Sequence, residues 1–108
     1  MKMKTRILSV VIAMCFGICL AGTQALAENL NIKGSTTVLP IAQLAAEQFM
    51  KAYPDVNISV SGGGSGNGIK ALIDKMTDIA DASRFIKGKE VARAVKNGVY
   101  PVPFAVAY

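Results

Sequence analysis

Residues 61–71 read SGGGSGNGIKA, and the fold turns on how this stretch is taken. It follows an alternating apolar run (Val56, Ile58, Val60) and precedes residues 69–76, where Ile69, Leu72, Ile73 and Met76 recur at helical spacing. A strand, a glycine turn and a helix are therefore expected in that order. Five glycines (Gly62, Gly63, Gly64, Gly66 and Gly68) free the backbone for positive φ and leave its N–H groups exposed. A helix that starts there presents unpaired N–H donors and its positive dipole end at one spot, which is the geometry of an anion site. Ser65 adds a hydroxyl in the middle of the turn. The loop reads as a cradle for an inorganic oxyanion, phosphate before others.

Two familiar glycine signatures fail. A nucleotide P-loop needs Lys followed by Ser or Thr directly after its last glycine, but Gly68 is followed by Ile69-Lys70-Ala71. The dinucleotide fingerprint needs a third glycine five residues after the first; Asn67 stands there counting from Gly62, and Ile69 counting from Gly64.

Working outward, residues 29–33 alternate Leu30 and Ile32 with Asn29, Asn31 and Lys33, a short strand. Gly34-Ser35-Thr36-Thr37 follows. Pro40 then opens a helix to about Tyr53, with Ile41, Leu44, Ala45, Phe49 and Ala52 on one expected buried face. Thr36 or Thr37 is the expected N-cap. Residues 78–83 read as a third strand and its exit, residues 84–89 as a polar connection, and residues 90–96 as a helix closed by Asn97-Gly98. Residues 99–108 are apolar and read as the beginning of a fourth strand. Strand and helix alternate throughout, which predicts an α/β fold, a parallel or mixed sheet flanked by helices. Ligands of such sheets bind beyond the carboxyl ends of the strands. If the first three strands are neighbours, the hydroxyls of residues 34–37, 62–68 and 81–84 converge.

The ends read differently. Lys2, Lys4 and Arg6 precede the apolar run of residues 7–20, and Ala25-Leu26-Ala27 has the small-x-small form of a cleavage site. Residues 1–27 thus read as a cleavable signal peptide, a membrane anchor being the alternative. Residues 28–108 are the expected working part. Both cysteines, Cys15 and Cys19, lie in the leader, and the chain has no histidine. Thiol chemistry, the usual general base and the commonest zinc ligand are thereby removed, so no metal or catalytic cofactor is expected. The leader also holds three of the twelve basic residues, leaving nine against seven acids. No basic run with interleaved aromatics remains, so nucleic acid is a poor partner. The apolar final residues, Val106-Ala107-Tyr108, suggest a truncated domain.

Three motifs in order resemble the substrate-binding proteins of bacterial phosphate ABC transporters: Gly34-Ser35-Thr36-Thr37-Val38-Leu39-Pro40, residues 61–70, and Asp78-Ile79-Ala80-Asp81-Ala82-Ser83-Arg84. The resemblance implies a two-lobed periplasmic-binding-protein fold of type II, of which residues 28–108 would be the N-terminal part of lobe one. It implies a monomer in the periplasm that hands phosphate to an inner-membrane permease and is not an enzyme. By position, the ligand set would be Ser35, Thr36, Thr37, Ser65, Gly66 and Ser83, with hydroxyls and backbone N–H groups as donors. Many members place an aspartate where Ser83 stands; Asp81 lies two residues earlier. A serine can accept from a protonated oxyanion or donate to a deprotonated one, which keeps sulfate, molybdate and tungstate open.

Each residue also has a plain structural role. Ser65 suits any turn, and Thr36 or Thr37 suits a cap. Arg84 reads as an exposed charge or as part of a lobe interface, Lys70 as solvated, Asp78 and Asp81 as polar strand-edge residues, and Met50 and Met76 as core. The competing functions are a secreted phosphatase-like enzyme with Ser65 as nucleophile, which lacks a base, and a sensor or adhesion protein on the same fold.

Overall fold

Leu30 and Ile32 stand at alternate positions of the central strand of a parallel sheet. The structure, a computed structural model, describes residues 27–106; the expected signal peptide therefore lies outside the described residues, save Ala27. Strand β1 (Glu28–Gly34) pairs on one side with β2 (Val56–Ser61) and on the other with β3 (Ile79–Asp81), in the order β2-β1-β3. The register sets Leu30 beside Ile58, and Ile32 between Val60 and Ile79. Partners in register point to the same face, so one face is apolar and the other carries Asn29, Asn31, Lys33, Asn57 and Ser59. Thr77, buried, donates its hydroxyl to Asn31 O at 2.8 Å, and Asn31 N–H donates to Asp78 Oδ2 at 2.8 Å. These bonds pin the entry of β3 to β1. Asp78 is thus a strand-edge anchor.

Parallel neighbours need crossovers, and helices supply them. Helix α1 (Leu39–Ala52) packs on β2, α2 (Ser65–Ile73) on β1 and β3, and α3 (Gly88–Lys96) on α2. The core sits between the last two helices and β3: Ile69, Ile73 and Ala94 are buried, with Ala80, Ala82, Ile86 and Val99 against them.

Several expectations need correction. Helix α1 spans nearly the predicted residues, but its N-cap is Val38, without a side-chain bond from that residue. Neither threonine caps it; the Ser35 hydroxyl accepts from Val38 N–H at 3.2 Å instead. Its large apolar residues are not buried: Ile41 is 68% exposed and Leu44 58%, while Ala46 is the buried residue. A helix lies closest to a sheet through its small side chains, and no second layer among the described residues covers the large ones. Helix α2 begins at Ser65, four residues before Ile69, so half of the glycine stretch is helix rather than loop. It ends at Ile73, where Asp74 caps it and Lys75 takes φ 60°, which turns Met76 outward to 76% exposure. Residues 99–106 form no strand, and Tyr100, Val102, Phe104 and Val106 are exposed. A strand needs a neighbour for its N–H and C=O groups, and the described edges give this run none.

Candidate anion site at the strand ends

The three strand exits meet because the backbones approach without side chains between them. A Cβ on Gly68 would stand 2.4 Å from Gly34 Cα and from Lys33 O, so α2 rests directly on the end of β1. Gly63 and Gly64 make the turn into α2 with φ of 121° and 102°, a region closed to other residues at low cost. Gly64 N–H then donates to Gly34 O at 2.8 Å, and Asn67 Nδ2 to Gly63 O at 2.7 Å. The first three N–H groups of a helix have no intrahelical acceptor, so those of Ser65, Gly66 and Asn67 face outward from α2 at this point.

Ser65 and Ser83 are brought into direct contact. Ser83 N–H donates to Ser65 Oγ at 3.0 Å, and the two hydroxyl oxygens stand 3.2 Å apart. The β3 exit is thereby fastened to the first residue of α2. Ser65 Oγ accepts from Ser83, which leaves its own proton to donate. The β1 exit arrives through Thr36, whose Cγ2 lies 3.4 Å from the Cβ position of Gly62. Thr36 and Thr37 are exposed, and so is Gly66. Ser35 differs: it is only 2% exposed, its N–H donates to Asp81 O at 3.0 Å, and its hydroxyl builds the turn into α1. The strand ends thus gather backbone donors and hydroxyls, with Ser35 beneath them.

Two features escape the sequence reading. Asp81 is no solvated edge residue. Both its carboxylate oxygens are buried without a hydrogen-bond partner among the described residues, and burial pushes its carboxyl above the ordinary value. Arg84 is not a free charge. It forms a forked pair with Glu90, Nη1 to Oε2 at 3.0 Å and Nη2 to Oε1 at 2.8 Å. That pairing, with the Lys87 N–H bond, holds the Glu90 carboxyl down at about 2. The Arg84 guanidinium is shifted up, first by the hydrogen bonds it donates to the Glu90 carboxylate. The only sequence signal for the pair was the six-residue spacing of opposite charges across a loop, which periodicity does not read. Lys70, by contrast, is solvated as expected and pairs along its helix with Asp74.

Hydrogen-bond donors converge here. The nearest hydroxyl to Ser65 is another serine, and the chain has no histidine to take a proton from either. Such a set can hold an anion.

A family profile described as the PBP superfamily domain matches residues 21–108. The chain belongs to the PBP superfamily. Among its relatives in this superfamily, the protein SphX of Synechococcus elongatus is 40% identical over 75 residues, which are 69% of this chain and 22% of that protein. The phosphate-binding protein PstS of Bacillus subtilis is 35% identical over 69 residues, 64% of this chain and 23% of PstS. Among solved structures, a possible phosphate binding protein from Planctomyces limnophilus superposes with a TM-score of 0.65 at 37% identity, over 68% of this chain and 26% of that one. The resemblance carried by the three motifs is thus met by this PBP domain, and the parallel sheet flanked by helices agrees with that neighbour. The chain spans about a quarter of the length of the relatives it matches.

Proposed function

We propose that this chain supplies the lobe-one half of a phosphate site in an exported solute-binding protein that serves an ABC importer. The observation that carries the reading is the Ser65–Ser83 contact at the start of α2, a hydroxyl pair beside the outward N–H groups of a helix end. An oxyanion seated there would accept from the N–H groups of α2, from Ser65 and Ser83, and from the exposed turn at Thr36 and Thr37. Ser35 would hold that turn from below, and Gly66 would let the anion approach the backbone. The printed name of the Bacillus subtilis relative, a phosphate-binding protein, points to the same ligand. The basic, apolar and small-residue pattern of residues 1–27 supports export, and the periplasm would be the compartment.

Capture of this kind needs no covalent step. Selectivity comes from matching donors and acceptors in a cleft where an unpaired buried polar group costs about 1–3 kcal/mol. The partner is then a membrane permease that accepts the loaded protein, and the protein works as a monomer. Ser83 in the place of an aspartate makes sulfate the informative competitor.

Calorimetric titration of a full-length protein containing residues 28–108 tests the reading. Phosphate is expected to bind, with sulfate and molybdate weaker. Binding of sulfate in preference to phosphate, or turnover of a chromogenic phosphate ester, overturns it.

A further inference from the structure

The segment between β3 and α3 holds a charge pair that the anion reading leaves unused. The Arg84 fork grips both oxygens of Glu90, and Glu90 Oε2 also accepts from Lys87 N–H at 2.8 Å. The carboxylate is therefore fixed by the first turn of α3. Arg84 Nη1 donates as well to Phe85 O at 3.0 Å. These bonds leave the guanidinium little freedom, and its position is telling. Arg84 Nη2 lies 3.7 Å from where a Cβ on Gly66 would stand. Gly66 is the second residue of α2, next to Ser65, and Arg84 follows Ser83. A cation is thus held beside the positive end of a helix, at the pair of serines that joins two strand exits.

Two like-signed features set side by side are relieved by a negative charge between them. Glu90 relieves the guanidinium only in part, because Nη2 carries two N–H groups and Oε1 takes one. The remaining N–H has no acceptor among the described residues. We infer that Arg84 strengthens anion binding at the oxyanion site, adding beside Gly66 a positive charge that Glu90 tempers. The inference rests on the reading of the α2 start as that site. Its ligand is an oxyanion of high charge, since Coulomb attraction grows with the charge of the bound species.

Four variants of the full-length protein decide the matter, titrated with inorganic phosphate at two ionic strengths. Arg84→Gln weakens phosphate binding by about three- to tenfold, the effect of one partly screened charge. Glu90→Gln strengthens it by a similar factor and steepens its salt dependence, because the guanidinium is no longer neutralised. Arg84→Lys keeps the charge and stays close to wild type. The double variant Arg84→Gln/Glu90→Gln retains a hydrogen-bonded pair without charge, and it weakens binding as Arg84→Gln does. An ion pair that only braces the loop behaves otherwise. Both single Gln variants would then weaken phosphate, the double variant would recover wild-type affinity, and the inference would be overturned. Equal affinity in all variants overturns it too while leaving the site standing. A wild-type protein that binds no oxyanion overturns the site reading and this inference together.

Discussion

The two flanks of the sheet are built from similar sequence and end in opposite states. Helices α1 and α2 both carry apolar residues at helical spacing. On the α2 flank Ile69 and Ile73 are buried, because α3 lies over them and brings in Ala94. On the α1 flank only Ala46 is buried, while Ile41, Leu44 and Phe49 are exposed. The difference is one of layers rather than of residues: an apolar stripe is buried when a second element covers it. It also bears on the site. Ser65 and Ser83 stand on the covered flank, so the core under α2 fixes their separation. Thr36 and Thr37 stand on the flank without a second layer, tied to β3 through Ser35 N–H and Asp81 O.

The largest effect that sharpens this contrast is at Ile73. Truncation of a buried Ile costs about 2–5 kcal/mol, so Ile73→Ala is expected to leave the 108-residue chain largely unfolded in a urea titration. Gly68→Ala belongs in the same class, because its new Cβ meets backbone atoms of Lys33 and Gly34 that cannot swing away. If either variant melts like the parent, the α2 flank is not the covered one.

Next comes the site itself. Ser65→Ala in a full-length protein removes a hydrogen bond to a charged ligand, worth about 1.5–3 kcal/mol, so phosphate affinity is expected to fall by roughly ten- to over a hundredfold. Its stability without phosphate should change little: the Ser83 N–H that loses its acceptor is at the surface, where water replaces it. Lys70→Ala, which removes an exposed helix-surface pair with Asp74, is the control and leaves affinity near that of the parent. Equal titration curves for Ser65→Ala and the parent would reduce Ser65 to a turn residue.

How far these features could be read beforehand follows from the same contrast. Local pattern sufficed for the strands of alternating residues at 30–32 and 56–60, for the order of elements and for the convergence of three exits. It singled out Ser65, and the family resemblance singled out Ser83; the two are in contact. It misjudged the α1 stripe and the final run because both depend on what lies alongside, and periodicity carries no information about a neighbour. The glycine stretch reads as loop, yet Ser65, Gly66, Asn67 and Gly68 are already helix: glycine disfavours helix on its own, but Gly68 is needed where α2 touches β1. Asp81 and the Arg84–Glu90 pair were missed for a further reason. Burial and pairing across a loop are properties of the assembled site, not of residue type.

Two carboxylates make the pH dependence testable. Glu90 has its folded value lowered to about 2 from 4.5, by Arg84 first. A lowered acid contributes stability above its unfolded value, and that contribution is lost as pH falls through the folded one. Asp81 has the opposite sign. Its folded value is raised above 3.8 by burial, so its contribution is present below that value and lost as pH rises through the folded one. Urea titrations from pH 6 down to 2 should therefore show Arg84→Gln removing part of the acid-side loss. Asp81→Asn should gain stability relative to the parent at pH 6 and lose that advantage below pH 4. A parent and Asp81→Asn that track each other at every pH would mean that Asp81 is solvated, contrary to its buried oxygens.

The smallest effect probes the other flank. Leu44 is 58% exposed on α1, and exposed substitutions away from caps and cores fall within about 0.5 kcal/mol. Alanine is also the better helix former, which offsets what little contact is lost. Leu44→Ala in the 108-residue chain is thus expected to shift the urea midpoint hardly at all, against the near-complete loss for Ile73→Ala. Both residues are aliphatic and both lie in helices packed on the same sheet, so the ratio of the two effects chiefly measures the second layer. A Leu44→Ala loss approaching that of Ile73→Ala would show that the α1 face is covered in solution. Repeating the titration at several protein concentrations would then identify the cover: a midpoint that rises with concentration points to a second copy of the chain, and a constant one to a segment of the same chain.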